Sequence, residues 1–284
     1  MKNHYSHWLS ILIIPLVLSD VVKAQDSLWR MIDEGLFIGE FDAPQRSEIG
    51  DSKVTIVKID PKHYSFKLLC ASEHSNIGRT AKEWGKKYHL ISAVNAGMFQ
   101  ADGITNVGYM KNFNHVNNPK LNNHNAVLAF NPNDPTVPDI QIIDRRCQDF
   151  GELRHKYRTL VQNIRMISCQ QKNVWSKQDK MWSMVILGID KRGKVLFMFT
   201  RSPYSVHDFI HILLSLPISI YNAMYLEGGP EATLYFSAND IEFERFGSYE
   251  TGFNEDDNND RAWRIPNVIG IVKKKSSAAP PTVR

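Results

Sequence analysis

Cysteine is scarce in this 284-residue chain: there are three, Cys70, Cys147 and Cys169. No C-x-x-C pair and no cysteine–histidine spacing of the zinc type occurs, which argues against a zinc module or thioredoxin-like chemistry. In an oxidising compartment one pair can close. Cys147 and Cys169 are the more plausible pair, although the sequence alone leaves the pairing open. Cys70 sits in the alternating run "YSFKLLCA" and reads as a small buried hydrophobe. Long apolar runs are also missing. The only candidate, "WLSILIIPLVL", follows Lys2, His4 and His7, precedes "VKA", and falls short of the ~20 residues needed to span a bilayer. It reads as a secretory signal over residues 1–24 with cleavage after Ala24, which predicts a secreted or periplasmic chain with no stable membrane insertion. A strong charge of one sign is absent: the formal net charge is +4, and Lys and Arg are scattered rather than striped, so nucleic acid is not the expected partner. There is no G-x-S-x-G element for a serine hydrolase and no internal repeat.

What the chain does have is strand-forming sequence. Runs rich in β-branched and aromatic residues recur at 53–60, 64–71, 90–96, 126–130, 140–143, 182–190, 194–200, 223–228, 232–236 and 267–274. "DKRGK" (190–194) reads as a hairpin turn. Helical spacing appears in "RTAKEWGKKYH", with Ala81, Trp84 and Tyr88 on one face, and in "SVHDFIHILLSL". In the latter, Ser205 and Asp208 form a capping pattern, which explains Ser205, His207 and Asp208 better than a catalytic triad would. Helices interspersed among strands predict an α/β or α+β fold over residues 25–274, a single domain with a mixed central sheet flanked by helices. Residues 275–284 read as a disordered tail.

Four stretches interrupt this scaffold with polar residues. "VNAGMFQADGITNVGY" ends a buried run in Asn95 and continues through Gly97, Phe99, Asp102 and Tyr109. "TLVQNIRMIS" places Gln162 and Arg165 in an apolar run. "YLEGGPEATLYF" sets Glu227 and Glu231 on either side of Gly228 and Gly229. "RAWRIPNVIGIV" leads from Arg264 and Asn267 into the last strand. Polar groups at strand ends, with glycines that admit a ligand to the backbone, suit a site on a rigid scaffold.

In this order the stretches resemble the phosphodiester glycosidase family, over roughly Ile91 to Val272. The resemblance implies hydrolysis of a sugar–phosphate diester, with a phosphodiester-bearing small molecule or glycan as substrate, on a mixed-sheet α/β fold with its motif loops gathered at one end. Asn95, Gly97 and Phe99 match the family's "NAGMF" element. Glu227, Gly228 and Gly229 match "LDGG", and Thr233 matches the Ser/Thr that follows. On this reading Glu227 is nucleophile or general base, with Asp102 or Glu231 as second carboxylate. The Gly228–Gly229 amides form an anion nest, completed by Arg165, Arg201 or Arg264. Phe99, Tyr109 and Trp182 offer sugar-stacking faces. The chain departs from the family in having Glu rather than Asp at 227, Trp rather than Arg at 182, and Pro230–Glu231 after the glycines. These departures keep a second expectation open, a glycan- or sugar-phosphate-binding module without turnover. Asp256, Asn258 and Asp260 alternate like the start of a calcium loop, but Arg261 stands where glycine is needed and Asn267 where glutamate is needed, so a solvated loop is expected. The sequence names no cofactor. A divalent cation, calcium or magnesium, remains compatible with it.

Overall fold

The computed structural model describes residues 28–275. The signal segment, and the tail beyond Lys275, lie outside the described residues. The strands form two sheets. The larger runs Trp29–Asp33, Leu36–Asp42, Lys53–Ile59, Val195–Tyr204, Trp182–Asp190, Ile220–Gly228, Tyr157–Ile167, Met110–Asn112 and His115–Asn118, with Ala126–Pro132 and Ile140–Asp144 branching from Tyr157–Ile167. The smaller sheet orders Ile241–Phe246, Thr233–Ala238, Ser92–Asn95, Asn267–Lys273 and Tyr64–Cys70.

Every ladder between named strands in the described residues is antiparallel. This corrects the expected mixed sheet flanked by helices: the fold is mostly β. The reason lies in the connections. Parallel neighbours need helical crossovers, and here only Ala81–Tyr88 and Val206–Ser215 exceed a single helical turn among the described residues.

The two sheets share one core. Val57, Leu187, Phe197 and Met224 of the larger sheet pack with Phe66, Val94, Phe236 and Ile269 of the smaller. At ~25 cal/mol per Å² of apolar surface removed from water, this interleaved layer is the main source of stability. On its other face the larger sheet places Ile56, Met184, Ile186 and Met198 against Phe209, Ile210 and Leu213 of the 206–215 helix. Ser205 caps that helix, its hydroxyl accepting from the Asp208 N–H at 3.1 Å. The 81–88 helix carries a capping box between Thr80 and Glu83, and buries Ala81 and Trp84 against Ala93, Tyr235 and Val268. Cys147 and Cys169 form a disulfide, and Cys70 is a buried free thiol. Among the described residues, no helix is long and apolar enough to cross a membrane.

Candidate active site

Strand Ile220–Gly228 runs between Trp182–Asp190 and Tyr157–Ile167. Along it Tyr225 faces Ile186 and Glu227 faces Val185, which leaves Leu226 unopposed. Two positions apart on one strand, Tyr225 and Glu227 point to the same face of the sheet, and both line one cavity. The chain then turns through a short 3₁₀ segment, Gly229–Glu231, and enters Thr233–Ala238 of the other sheet. A third acidic residue arrives from a loop. Glu250 bridges to Trp182 and Asn254, its N–H donating to the Asn254 carbonyl at 2.8 Å.

These residues surround a cavity of about 490 Å³, within the ~300–1,000 Å³ typical of small-molecule sites. Glu227, Glu231 and Glu250 supply its acid, and Phe99, Trp175, Trp182 and Tyr225 its aromatic walls. Glu227 is only 9% exposed. Among the described residues, its side chain accepts a hydrogen bond from the adjacent Gly228 N–H, at 3.1 Å to Oε1. Loss of solvent, reinforced by the neighbouring carboxylates Glu231 and Glu250, pushes the Glu227 carboxyl well above its ordinary range. Burial, then Glu250, raises Glu231 as well. Burial and the same three carboxylates keep the Tyr225 phenol protonated.

Asn95 holds the turn in place from the neighbouring strand. Its Oδ1 accepts from the Thr233 N–H at 2.9 Å and its Nδ2 donates to the Glu231 carbonyl at 3.0 Å. Thr233 is buried and its hydroxyl donates to the Arg245 carbonyl. Gly97 lies where a Cβ would come 2.5 Å from Asn163 Oδ1 and 2.7 Å from Asn106 Oδ1, so glycine there permits the approach of two buried amides.

The structure therefore brings Glu227, Glu231, Phe99, Trp182 and Gly228 into one cavity, with Asn95 and Thr233 as its support. It places other expected residues elsewhere. Asp102 does not line the cavity; it is exposed and accepts from Ile104 N–H, Thr105 N–H and the Thr105 hydroxyl, which lowers its carboxyl below the usual range. Its spacing to Thr105 suits a turn, and that local use wins. Tyr109 is buried with Val127 and Phe150, and Arg154 lies 5.7 Å from its ring.

The three arginines expected at the phosphate do not line this cavity either. Arg165 pairs with buried Asp144 at 2.8 Å. Arg201 bonds Asp257 at 2.5 Å and donates to the Phe246, Asp257 and Asn259 carbonyls. Arg264 reaches the Gly78 carbonyl and Glu83. Among the described residues, no Lys, Arg or His lines the cavity. The Gly228–Gly229 nest is altered too, since the Gly228 N–H serves Glu227 and the Glu250 carboxylate lies against Gly229.

For a metal, the one tight group of three ligand-type side chains among the described residues is Asp144 with Cys147 and Cys169. Both sulfurs are joined to each other, so it offers no thiolate. In the 254–260 loop Asp256 accepts from Asn258, and Asp257 from Arg201.

A family model described as phosphodiester glycosidase matches residues 88–272, and the chain belongs to that family. No curated protein matches it. Two solved structures share the fold. One is the zebrafish N-acetylglucosamine-1-phosphodiester alpha-N-acetylglucosaminidase catalytic domain, auto-inhibited by its pro-peptide, at 15% identity and TM-score 0.57, covering 86% of each chain. The other is a hypothetical protein from Synechocystis at 13% identity and TM-score 0.54, covering 85% of this chain and 62% of that one.

Proposed function

We propose that the protein is a hydrolase that cleaves the glycosidic bond of a sugar–phosphate diester, releasing the sugar and a phosphomonoester. The observation that carries this reading is the burial of Glu227 beside Glu231 and Glu250 in an aromatic cavity, and family membership supports it. Glycosidic cleavage uses two carboxyl groups in different protonation states. Burial suits Glu227 to the acid role rather than to nucleophile or base. Its proton passes to the glycosidic oxygen as the bond from that oxygen to the anomeric carbon breaks. A water adds its oxygen to that carbon and gives its proton to Glu250, and exchange with solvent resets both groups. Glu231 offsets positive charge at the sugar. The protonated Tyr225 hydroxyl donates to a phosphate oxygen, and the start of the 206–215 helix at Val206, on the cavity wall, turns its positive end to the same anion.

A second reading, a sugar-binding module without turnover, draws on the lack of any basic side chain along the cavity. The deciding experiment is sugar release from UDP-N-acetylglucosamine and related sugar-1-phosphodiesters, with and without chelator, by wild type, Glu227→Gln and Glu250→Gln. Release by wild type that falls at least ~100-fold in both variants supports the hydrolase. Saturable binding without release favours the binding module. Wild-type rates in Glu227→Gln would remove that residue from the chemistry.

A further inference from the structure

A larger recess, of about 1010 Å³, opens at the far end of the strand that carries Glu227. Tyr221 and Asn222, at the start of Ile220–Gly228, form part of its lining. Asn222 and Glu227 are five positions apart on the strand, about 17 Å at ~3.4 Å per residue, and the two cavities have no lining residue in common among the described residues.

Three kinds of group converge in this recess. The first is an unfilled acceptor. Asn222 is 5% exposed; its Nδ2 donates to the Ile142 carbonyl at 3.3 Å, while its buried Oδ1 has no partner. Turning the amide over would set two oxygens against each other, so the carbonyl fixes which atom is left over. A buried acceptor of this kind calls for an O–H or N–H donor. The second is the ring of Tyr221, which is 39% exposed.

The third is unpaired positive charge. Each acid of the recess is already engaged: Asp60 with Lys194 and the Lys62 N–H, Asp139 with Lys274, and Asp190 with the Arg192 and Lys194 N–H groups. The exposed side chains of Lys62, Lys191 and Arg192 are left on the rim with no ion pair among the described residues.

We propose that this recess is a second binding site, for an acidic oligosaccharide. Sugar hydroxyls fill the Asn222 acceptor, a pyranose face packs on Tyr221, and carboxylate, sulfate or phosphate groups on the sugars meet Lys62, Lys191 and Arg192. A nucleic acid fits less well, because one exposed ring gives no series of stacking platforms. The site is independent of the hydrolytic reading and would anchor a charged glycan whatever the cavity at Glu227 does.

The test is a calorimetric titration of the mature chain at low salt with a galacturonic acid hexamer, a sulfated hexasaccharide and a neutral glucose hexamer. The acidic oligomers are expected to bind at least ~10-fold tighter than the neutral one, and less tightly as salt rises. Comparing the two acidic ligands shows which anion the site prefers. The K62A/K191A/R192A variant should lose at least ~10-fold in affinity for the acidic oligomers, and Tyr221→Ala several-fold for all three. These side chains are exposed, so both variants should keep the wild-type unfolding temperature, and sugar release at the Glu227 cavity should be unchanged. Glu227→Gln should bind the acidic oligomers as wild type does. No binding at millimolar ligand, affinity indifferent to the recess variants, or affinity lost in Glu227→Gln would each overturn the proposal.

Discussion

The Glu250 carboxylate packs against the backbone of Gly229, so that a Cβ at 229 would lie 2.6 Å from Oε2. A loop residue is thereby set against the turn that follows Glu227. Gly229 also holds φ at +65°, a conformation that glycine adopts without the Cβ penalty.

Gly229→Ala therefore tests whether this contact sets the position of Glu250. The alanine adds backbone strain of about 1 kcal/mol and pushes Glu250 aside. The expected outcome is a modest fall in unfolding temperature together with a loss of kcat/KM of ~10-fold or more on a sugar-1-phosphodiester. A variant that loses stability and keeps its kcat/KM would show that Glu250 can be displaced without consequence.

Glu227 sets a pH dependence of stability whose sign follows from its raised carboxyl. The folded chain holds this proton more tightly than the unfolded one, so stability falls as pH rises above the ordinary glutamate range toward the folded value. Glu227→Gln has no such proton and keeps an acceptor for the Gly228 N–H. Its urea midpoint should match wild type near pH 4 and exceed it at pH 8. A difference that stays constant with pH would contradict the buried, protonated state.

Asn95 joins Thr233 to the carbonyl of Glu231 through both ends of its amide. Asn95→Ala leaves a buried N–H without a partner, at about 1–3 kcal/mol, and frees the turn. Both unfolding temperature and kcat should fall. Asn95→Asp preserves the acceptor and turns an oxygen toward the Glu231 carbonyl, so it should not rescue activity. Rescue by Asp would argue that charge, rather than the two-ended bond, is what this position supplies.

Arg201 separates a structural role from a phosphate-binding one. With its guanidinium engaged by Asp257 and three carbonyls, Arg201→Ala should lower unfolding temperature and leave KM within about threefold of wild type. A loss of phosphate contact would instead raise KM by ~10-fold or more with little effect on stability.

Much of the fold was legible because local chemistry repeats along the chain. The runs around Val185, Phe197, Met224 and Val268 announce strands, and Thr80 through Tyr88 and Ser205 through Ser215 announce helices, because side-chain periodicity records which face is buried. The arrangement of those strands was less legible: Trp29–Asp33 and Leu36–Asp42 carry too few periodic residues to stand out, and pairing direction depends on connections that composition does not encode.

At the site, Glu227, Glu231 and Asn95 lie in motifs with glycine turns and were visible. Tyr225 looked like one more strand aromatic, because the sequence does not show that the face it shares with Glu227 opens on a cavity. Glu250 lies 23 positions beyond Glu227 in a loop with no motif, and the pairing of that loop with residues 181–183 brings it in. The arginines misled for a general reason. Sequence shows that a guanidinium interrupts an apolar run, as Arg165 does, but not that Asp144 waits beside it.

The turn at Gly229–Glu231 is also one of three places where the chain passes between the sheets, after the crossings that follow Lys53–Ile59 and Ser92–Asn95. Glu227 is fixed by the larger sheet and the strand after Glu231 by the smaller, so the acidic cluster exists only when both halves have closed on each other. On the proposed function, sugar release would then report complete assembly, since an intermediate with either sheet unformed would lack the cluster.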